Sequence, residues 1–132
     1  MARDQWIKQQ KNKIYPFLKE EIETKVTNLI ETVLRPAIIV RPSDYEFNYV
    51  VDIYTKWHGH HYYIFAKYCC PSPDATMPGF ESGCARMAYV GGEHFNLAYF
   101  HYSGKWAEIF HRLTIDECID IIKDDPGFQP SY

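Results

Sequence analysis

The sequence lacks a long hydrophobic run. Among its 132 residues, a charge or a proline interrupts every apolar stretch before it reaches the ~18 consecutive apolar residues of a membrane-spanning helix. The N-terminal segment includes Arg3, Asp4 and Lys8 and lacks the apolar stretch of a secretion signal. We therefore predict a cytoplasmic protein without a membrane partner.

An excess of either charge is also missing. The chain has 14 Lys plus Arg residues and 17 Asp plus Glu residues, which give a formal net charge of −3. Such a balance produces no global field that would attract phosphate backbones. We therefore expect no nucleic-acid partner.

The common catalytic and cofactor signatures are absent as well. There is no Walker loop, no G-x-G-x-x-G after a predicted strand, no G-x-S-x-G elbow and no His-Glu-x-x-His helix. The sequence therefore yields no catalytic residue and no cofactor, and it leaves open whether the protein is an enzyme.

The cysteines are few and do not have the spacing of a disulfide or zinc framework. The four are Cys69, Cys70, Cys84 and Cys118. A chain of this length buries enough surface to fold without a covalent cross-link, and thiols in the cytoplasm stay reduced. We expect four free thiols.

Three histidines near one predicted hairpin tip, His58, His60 and His61, are weak candidates for zinc ligands. No Cys-x-x-Cys or His-x3-His pair occurs among them and the nearby cysteines, although such pairs hold most structural zinc ions. We favour a polar, exposed hairpin tip and predict no metal site.

Aromatic residues, in contrast, are abundant. There are 11 Tyr, 8 Phe and 3 Trp, or 17% of the chain, and most tyrosines fall in predicted strands and on both strand faces. Tyrosine is a common sheet residue. The alternative is an aromatic surface or pocket lining for a partner or ligand.

The N-terminal part, residues 1–34, is predicted to be helical, with a break near Tyr15 because Pro16 lacks a backbone N–H. Its apolar positions recur with helical spacing and form one buried stripe. They are Leu18, Ile22, Val26, Leu29 and Val33.

Residues 37–111 are predicted to form an antiparallel sheet of about five strands. The segment 37–40 lies between two prolines and is either a short edge strand or a connector. The alternation of residues is clearest over 45–57. Further strands are expected at 62–69, 80–90, 95–102 and 106–111, with a proline-rich loop at 70–79.

Thr114 and Glu117 form a predicted capping box before a short helix over 114–124. Residues 125–132 are predicted to form a loosely held tail. The whole chain, 1–132, is predicted to be a single α+β domain in which the long helix packs on the sheet. Whether the sheet is open or curls into a pocket is not determined by these patterns.

Candidate binding residues all lie on predicted strands of the one sheet, where polar and aromatic side chains would share a surface. Cross-strand ion pairs would produce the same charged residues, so a purely structural role is the alternative. The candidates are Tyr49, Asp52, Tyr54, Arg86, Tyr89, Tyr99 and His101.

Three segments carry a resemblance to a known group. They are Arg-Pro-Ser-Asp-Tyr-Glu-Phe at 41–47, Cys-Pro-Ser-Pro at 70–73 and the acidic segment 116–126. The chain resembles small uncharacterised bacterial proteins of unknown function over most of its length beyond about Arg35. The resemblance implies no activity, cofactor or site residue.

The sequence favours a non-enzymatic binding or protein-interaction module that uses an aromatic sheet face, with a homodimer or another protein as partner. One helix about 10 Å across cannot cover five strands spaced at ~4.8 Å, so part of the aromatic sheet should stay open. The alternative is a small enzyme or ligand carrier with a pocket between helix and sheet that holds a small molecule.

Overall fold

The computed structural model describes residues 13–130 and confirms the α+β arrangement. Helix α1 (Pro16–Leu29) continues as a π-helical turn (Ile30–Leu34), and five strands follow before helix α2 (Ile115–Asp124) and a 3-10 turn (Pro126–Phe128). The strands are β1 (Tyr49–His58), β2 (His61–Cys69), β3 (Gly79–Gly91), β4 (His94–Phe100) and β5 (Trp106–Leu113).

The sheet is a simple meander in which each strand pairs antiparallel with the next, in the order β1-β2-β3-β4-β5. Its tight turns use glycine where the backbone needs a positive φ, at Gly59 (61°) and Gly92 (59°). Strands β1 and β5 are the two edges.

Helix α1 begins at Pro16, as the sequence predicts, and buries one stripe of side chains against the sheet: Leu18, Ile22, Val26 and Leu29. Residues 13–15 are not helical, which corrects the prediction of a helix over 1–34. The cause is local, because the proline ring forces Tyr15 into an extended conformation (φ −68°, ψ 142°). The predicted helical residues 1–12 lie outside the described part.

The core fills the space between the two helices and one face of the sheet, which we call the inner face. Ile53, Ile64, Met87 and Leu97 contribute from four neighbouring strands and are almost fully buried. Ile22, Ile115, Cys118 and Ile122 close the layer from the helices. The helix–sheet interface is therefore occupied by packed side chains.

The sheet starts at Tyr49, later than the predicted residue 37 and later than the alternation that begins at residue 45. Tyr49 pairs with Cys69, which is the last residue of β2, so a longer β1 would have no partner strand there. The aromatic residues before Tyr49 pack on each other instead, with the Tyr45 and Phe47 ring centroids 5.6 Å apart.

The segment after α2 is held firmly, which corrects the prediction of a loose tail. Phe128 is 1% exposed and belongs to the core. Asp125 accepts a hydrogen bond from the Gly127 N–H, and the Gln129 side chain donates to the carbonyls of Ile122 and Lys123. Residues 131 and 132 lie outside the described part.

Two further predictions can be compared with the structure. All four cysteines are free, with Cys69 and Cys70 half-buried and Cys84 and Cys118 buried. Within residues 13–130, no helix is both long enough and apolar enough to cross a membrane.

Candidate functional site: the outer aromatic face

The face of the sheet opposite the helices carries a continuous cluster of rings, which we call the outer aromatic face. Alternation along each strand places these side chains away from the core, and the helices pack on the inner face only. Each ring is half-buried. The cluster consists of Tyr54, Tyr63, Phe65, Phe100 and Trp106.

The rings contact one another from β1 to β5. Phe65 is stacked on Tyr54 at 5.6 Å between centroids and lies 5.4 Å from Tyr63. Trp106 lies 5.4 Å from Tyr63 and 5.1 Å from Phe100, both in edge-to-face geometry. Such distances are those of favourable aromatic pairs, so the rings form one preorganised surface.

Gly83 on β3 makes room for the indole of Trp106. A Cβ atom at this position would lie 2.5 Å from two atoms of the Trp106 ring, which is closer than real contacts allow. Because Gly83 pairs with Phe65 on β2, the missing side chain lies in the middle of the face. The glycine thus lets the tryptophan of β5 lean over the central strand.

Three cations lie on these rings, so the aromatic surface also carries positive charge. Lysine stems can cover apolar rings while the ammonium groups stay in water. The distances from charged group to ring centroid are 4.7 Å for Lys56 over Phe65, 5.2 Å for Lys67 over Tyr54 and 5.6 Å for Arg86 over Trp106.

Arg86 is the most enclosed of these cations, with its side chain 18% exposed. One guanidinium nitrogen lies 3.6 Å from a Glu108 carboxylate oxygen, and Nε is buried without a hydrogen-bond partner. Glu108 itself accepts a hydrogen bond of 2.9 Å from Asn96. Because the contact to Glu108 is longer than a hydrogen bond, the terminal N–H groups of the guanidinium retain capacity for another acceptor.

Tyr54 and Glu81 form the polar contact on the β1 side of the face. The Tyr54 hydroxyl donates to a Glu81 carboxylate oxygen at 2.5 Å. Burial, together with this carboxylate, raises the pKa of Tyr54 to about 12. The hydroxyl therefore stays protonated and acts as a donor.

Asp52 lies at the β1 edge of this face and pairs with Arg35, which follows the π-helical turn. Arg35 also donates to the Ile53 carbonyl, and Asp52 accepts from the Ile53 N–H. The Arg35 guanidinium lowers the pKa of Asp52, so the carboxylate is charged at neutral pH. The pair ties the end of the helical segment to the sheet edge.

The seven binding residues that the sequence predicts do not all lie on one face of the sheet. Tyr54 and Arg86 lie on the outer aromatic face, and Asp52 lies at its edge. Tyr89 is buried on the inner face, where its hydroxyl donates to the Gly92 carbonyl, and Tyr99 packs against the core.

The other two candidates lie at strand ends. Tyr49 begins β1, and hydrogen bonding with Cys69 raises its pKa. His101 follows β4, and its Nδ1 lies 2.8 Å from the Ser103 hydroxyl. Neither residue is part of the ring cluster.

The sequence prediction missed most of the cluster, namely Tyr63, Phe65, Phe100 and Trp106. The signal was present in β2, where Tyr63, Phe65 and Lys67 alternate with the apolar inner-face residues Ile64 and Ala66. It was obscured because β2 is aromatic on both faces. Only strand pairing shows which residues share a surface.

His58 ends β1, His60 lies in the β1–β2 turn and His61 begins β2. The rings of His60 and His61 lie 4.7 Å apart, and His61 Nδ1 lies 3.4 Å from the Tyr63 hydroxyl. Burial and the nearby Arg86 lower the pKa of His61, which favours a neutral ring. Across the described part of the chain, no cluster of three or more His, Cys, Asp or Glu residues could hold a metal ion.

The proline-rich loop 70–78 borders a separate, open cleft of about 400 Å³. The loop is closed by a hydrogen bond from the Cys70 N–H to the Pro78 carbonyl. Cys70 and Met77 are among the residues that line the cleft. The cleft lies beside the start of β1 and outside the ring cluster.

Comparison with protein families gives one match. A family described as a domain of unknown function (DUF3024) matches residues 14–130. The chain belongs to this family. Its matched region contains both helices and all five strands, so the outer aromatic face lies within the family domain. The predicted membership of a family of unknown function is confirmed.

No curated protein and no solved structure matches the chain. The family itself names no ligand, reaction or partner. A functional assignment for this family member therefore depends on the physical properties of its own surface.

Proposed function

We propose that the protein is a non-enzymatic interaction module that binds a protein partner through the outer aromatic face. The observation that supports this proposal is the continuous ring cluster on the side of the sheet away from both helices. A sheet face that only meets water more often carries Thr, Lys and Glu. Removing the exposed part of these rings from water lowers the free energy when a partner covers them.

The centre of the face has the composition of an interface hot spot. Tyr, Trp and Arg are the residues whose truncation most often weakens protein complexes. Here Tyr63, Arg86 and Trp106 contact one another on β2, β3 and β5. Their rotamers are restricted before binding by these contacts, which lowers the entropic cost of association.

The polar groups favour a protein partner over an apolar ligand. Arg86 is 18% exposed in its side chain and makes only a long contact of 3.6 Å to Glu108, so its terminal N–H groups can donate to a partner carboxylate or carbonyl. Lys56 and Lys67 surround the rings with further donors. An apolar centre with a polar rim is the usual anatomy of a protein interface.

Site-specific photo-cross-linking in cells tests this proposal without assuming the partner. A benzophenone amino acid replaces Tyr63 on the face, and the matched control replaces Phe17, which is 61% exposed on α1. We expect a discrete protein adduct from position 63 that is absent from position 17. Failure to form an adduct at position 63 in the folded variant would contradict the proposal.

A further inference from the structure

We infer that the partner is a second copy of this chain, packed face to face about a two-fold axis that crosses the strands along the ring cluster. This inference rests on the proposed function, since it names the occupant of the same face. The strand register fixes the distribution of charge across the sheet, and this distribution is complementary to itself.

Three rows of residues cross the first three strands of the outer face. The register pairs Lys56 with Tyr63 and Tyr63 with Arg86, and we call this line the basic row. Tyr54 lies two residues before Lys56 on β1. It forms the ring row together with Phe65 and Gly83. Asp52 lies two residues before Tyr54 on β1. It forms the acidic row together with Lys67 and Glu81.

A half-turn about the ring row exchanges the basic and acidic rows. On β1, Lys56 then faces Asp52 of the second copy. On β3, Arg86 faces Glu81 of the second copy. Each contact occurs twice by symmetry, so four opposite-charge contacts frame the interface.

The facing groups have free bonding capacity. The terminal guanidinium of Arg86 makes only a long contact of 3.6 Å to Glu108. Glu81 is exposed, and within residues 13–130 its carboxylate accepts a hydrogen bond from the Tyr54 hydroxyl. Lys56 contacts a ring and has no ion pair within residues 13–130. Asp52 pairs with Arg35 but remains 42% exposed in its side chain.

The other contacts across the axis are also compatible. Phe65 lies on the ring row near the axis and meets aromatic rings of the second copy. Lys67 faces Tyr63 of the second copy, which repeats the contact that it makes with Tyr54 in its own chain. Sheets packed face to face keep their strands nearly aligned, and this rotation preserves that alignment.

The alternative axis, parallel to the strands, fits less well. It would place β1 over β5 and would bring Arg86 against its own symmetry copy near the axis, because β3 is the central strand. Like charges that face each other across an interface are unfavourable. The axis along the ring row avoids this contact.

The size of the face limits the area that the dimer can bury. Five strands at a spacing of ~4.8 Å span about 19 Å, which places the contact area at the low end for specific complexes. We therefore expect a dimer that dissociates on dilution in the micromolar range. Such association is reversible and accessible to measurement.

A charge-swap experiment tests the arrangement. Arg86→Glu places two acidic groups against each other across the interface, and Glu81→Arg places two basic groups there. Each variant alone should sediment as one chain at concentrations where the unchanged protein sediments as two. In a mixed dimer, the new carboxylate at position 86 faces the new guanidinium at position 81, and the second contact keeps the original Arg86 and Glu81. Mixing the two variants should therefore restore the two-chain species.

Two further variants distinguish loss of the interface from a folding defect or a general effect of charge. Arg86 is largely enclosed, so a folding defect is checked by circular dichroism, and the exposed Lys56→Glu variant should weaken association without that risk. Glu20→Arg on α1 is the matched control for Glu81→Arg, since it changes the same charge at an exposed site away from the face. The control should associate like the unchanged protein.

The outcomes separate the two proposals. An adduct at position 63 that contains two copies of the chain, together with rescue by mixing, supports the dimer. An adduct with a different protein would overturn the dimer and leave the interaction module standing. Association that Arg86→Glu and Lys56→Glu leave unchanged would also overturn this arrangement, whereas absence of any adduct contradicts the proposed function itself.

Discussion

Phe128 shows how a single side chain can organise a segment that lacks regular structure. It follows Pro126 and Gly127, which are residues typical of turns, yet its ring is 1% exposed and contacts Tyr99 and Phe110 at centroid distances of 6.2 Å. The ring thus packs against side chains of β4 and β5. The C-terminal segment is therefore part of the folded unit.

Phe128→Ala should destabilise the protein by about 3–5 kcal/mol, since it removes a buried ring and leaves a cavity. Urea unfolding followed by circular dichroism measures this change. Phe47→Ala is the matched control, because Phe47 is 72% exposed, and it should change the free energy of unfolding far less. Equal losses in both variants would contradict the assigned role of Phe128.

The thiols divide into two classes at the residue scale. Burial raises the pKa of both Cys84 and Cys118 to about 12, whereas Cys69 and Cys70 are half-buried at the end of β2. The thiolate is the reactive form. The two buried cysteines are therefore protected by protonation as well as by burial.

A thiol reagent at pH 8 should modify Cys69 and Cys70 in the native protein and all four cysteines after denaturation. Mass spectrometry of the labelled peptides identifies the sites. Rapid native labelling of Cys118 would show that α2 opens easily, and a denatured, unreduced sample with fewer than four reactive thiols would contradict the free state of the cysteines.

The raised pKa values of Cys84 and Cys118 also determine how the free energy of unfolding changes with pH. The unfolded chain releases these two thiol protons near the ordinary pKa of about 9, while the folded protein keeps them up to about pH 12. The folded state therefore binds more protons in this window. The contribution of Cys84 and Cys118 to stability is full below pH 9 and is lost as the pH rises above it.

At the scale of elements, helix α2 depends on the capping box that its sequence predicts. The Thr114 hydroxyl accepts from the Glu117 N–H at 3.2 Å, and the Glu117 carboxylate accepts from the Thr114 N–H at 3.0 Å. These two bonds satisfy donors that would otherwise be free at the helix start. They also set where the chain leaves β5.

Thr114→Ala should reduce the free energy of unfolding by about 1 kcal/mol, the usual cost of losing an N-cap side chain. Thr24→Ala in the exposed middle of α1 is the control and should be neutral or slightly stabilising, because alanine has the higher helix propensity. Urea titrations of both variants provide the comparison. A neutral Thr114→Ala variant would mean that packing alone positions α2.

Strand β1 illustrates what pairing adds to an alternating pattern. Alternation starts at residue 45, but hydrogen-bonded pairing starts at Tyr49 because its neighbour β2 ends at Cys69. The prolines of the following loop direct the chain away from the sheet. The end of a strand is thus set by its partner as much as by its own residues.

At the scale of the whole molecule, stability comes from one apolar layer between the helices and the inner face. The buried residues of this layer come from every helix and from β1 to β4, and no charged side chain is buried within residues 13–130. The histidines at the β1–β2 turn lie outside it. The fold therefore has its energetic basis in packing.

The melting temperature should be the same with and without EDTA, since structural zinc would be coupled to folding and its removal would lower stability. Calorimetry with metal analysis of the same sample makes the measurement. A sharp drop in melting temperature on chelation, with stoichiometric zinc in the untreated protein, would contradict this expectation.

The sequence by itself determined the order and type of the elements. The stripe on α1, the position of Pro16, the Gly turns and the Thr114–Glu117 box are signals between residues close in the chain, and local geometry is enough to interpret them. Membership of a family of unknown function was also recognisable, because a family is defined by its amino-acid sequence.

Only the tertiary structure decided which aromatic residues share a surface. Tyr63 and Trp106 are far apart in the chain and meet because β2 to β5 pair in one register and because Gly83 leaves space between them. Tyr89 looked equivalent from its sequence but faces the core. Strand alternation gives two faces, and only packing of the helices on one of them determines which is buried and which is open.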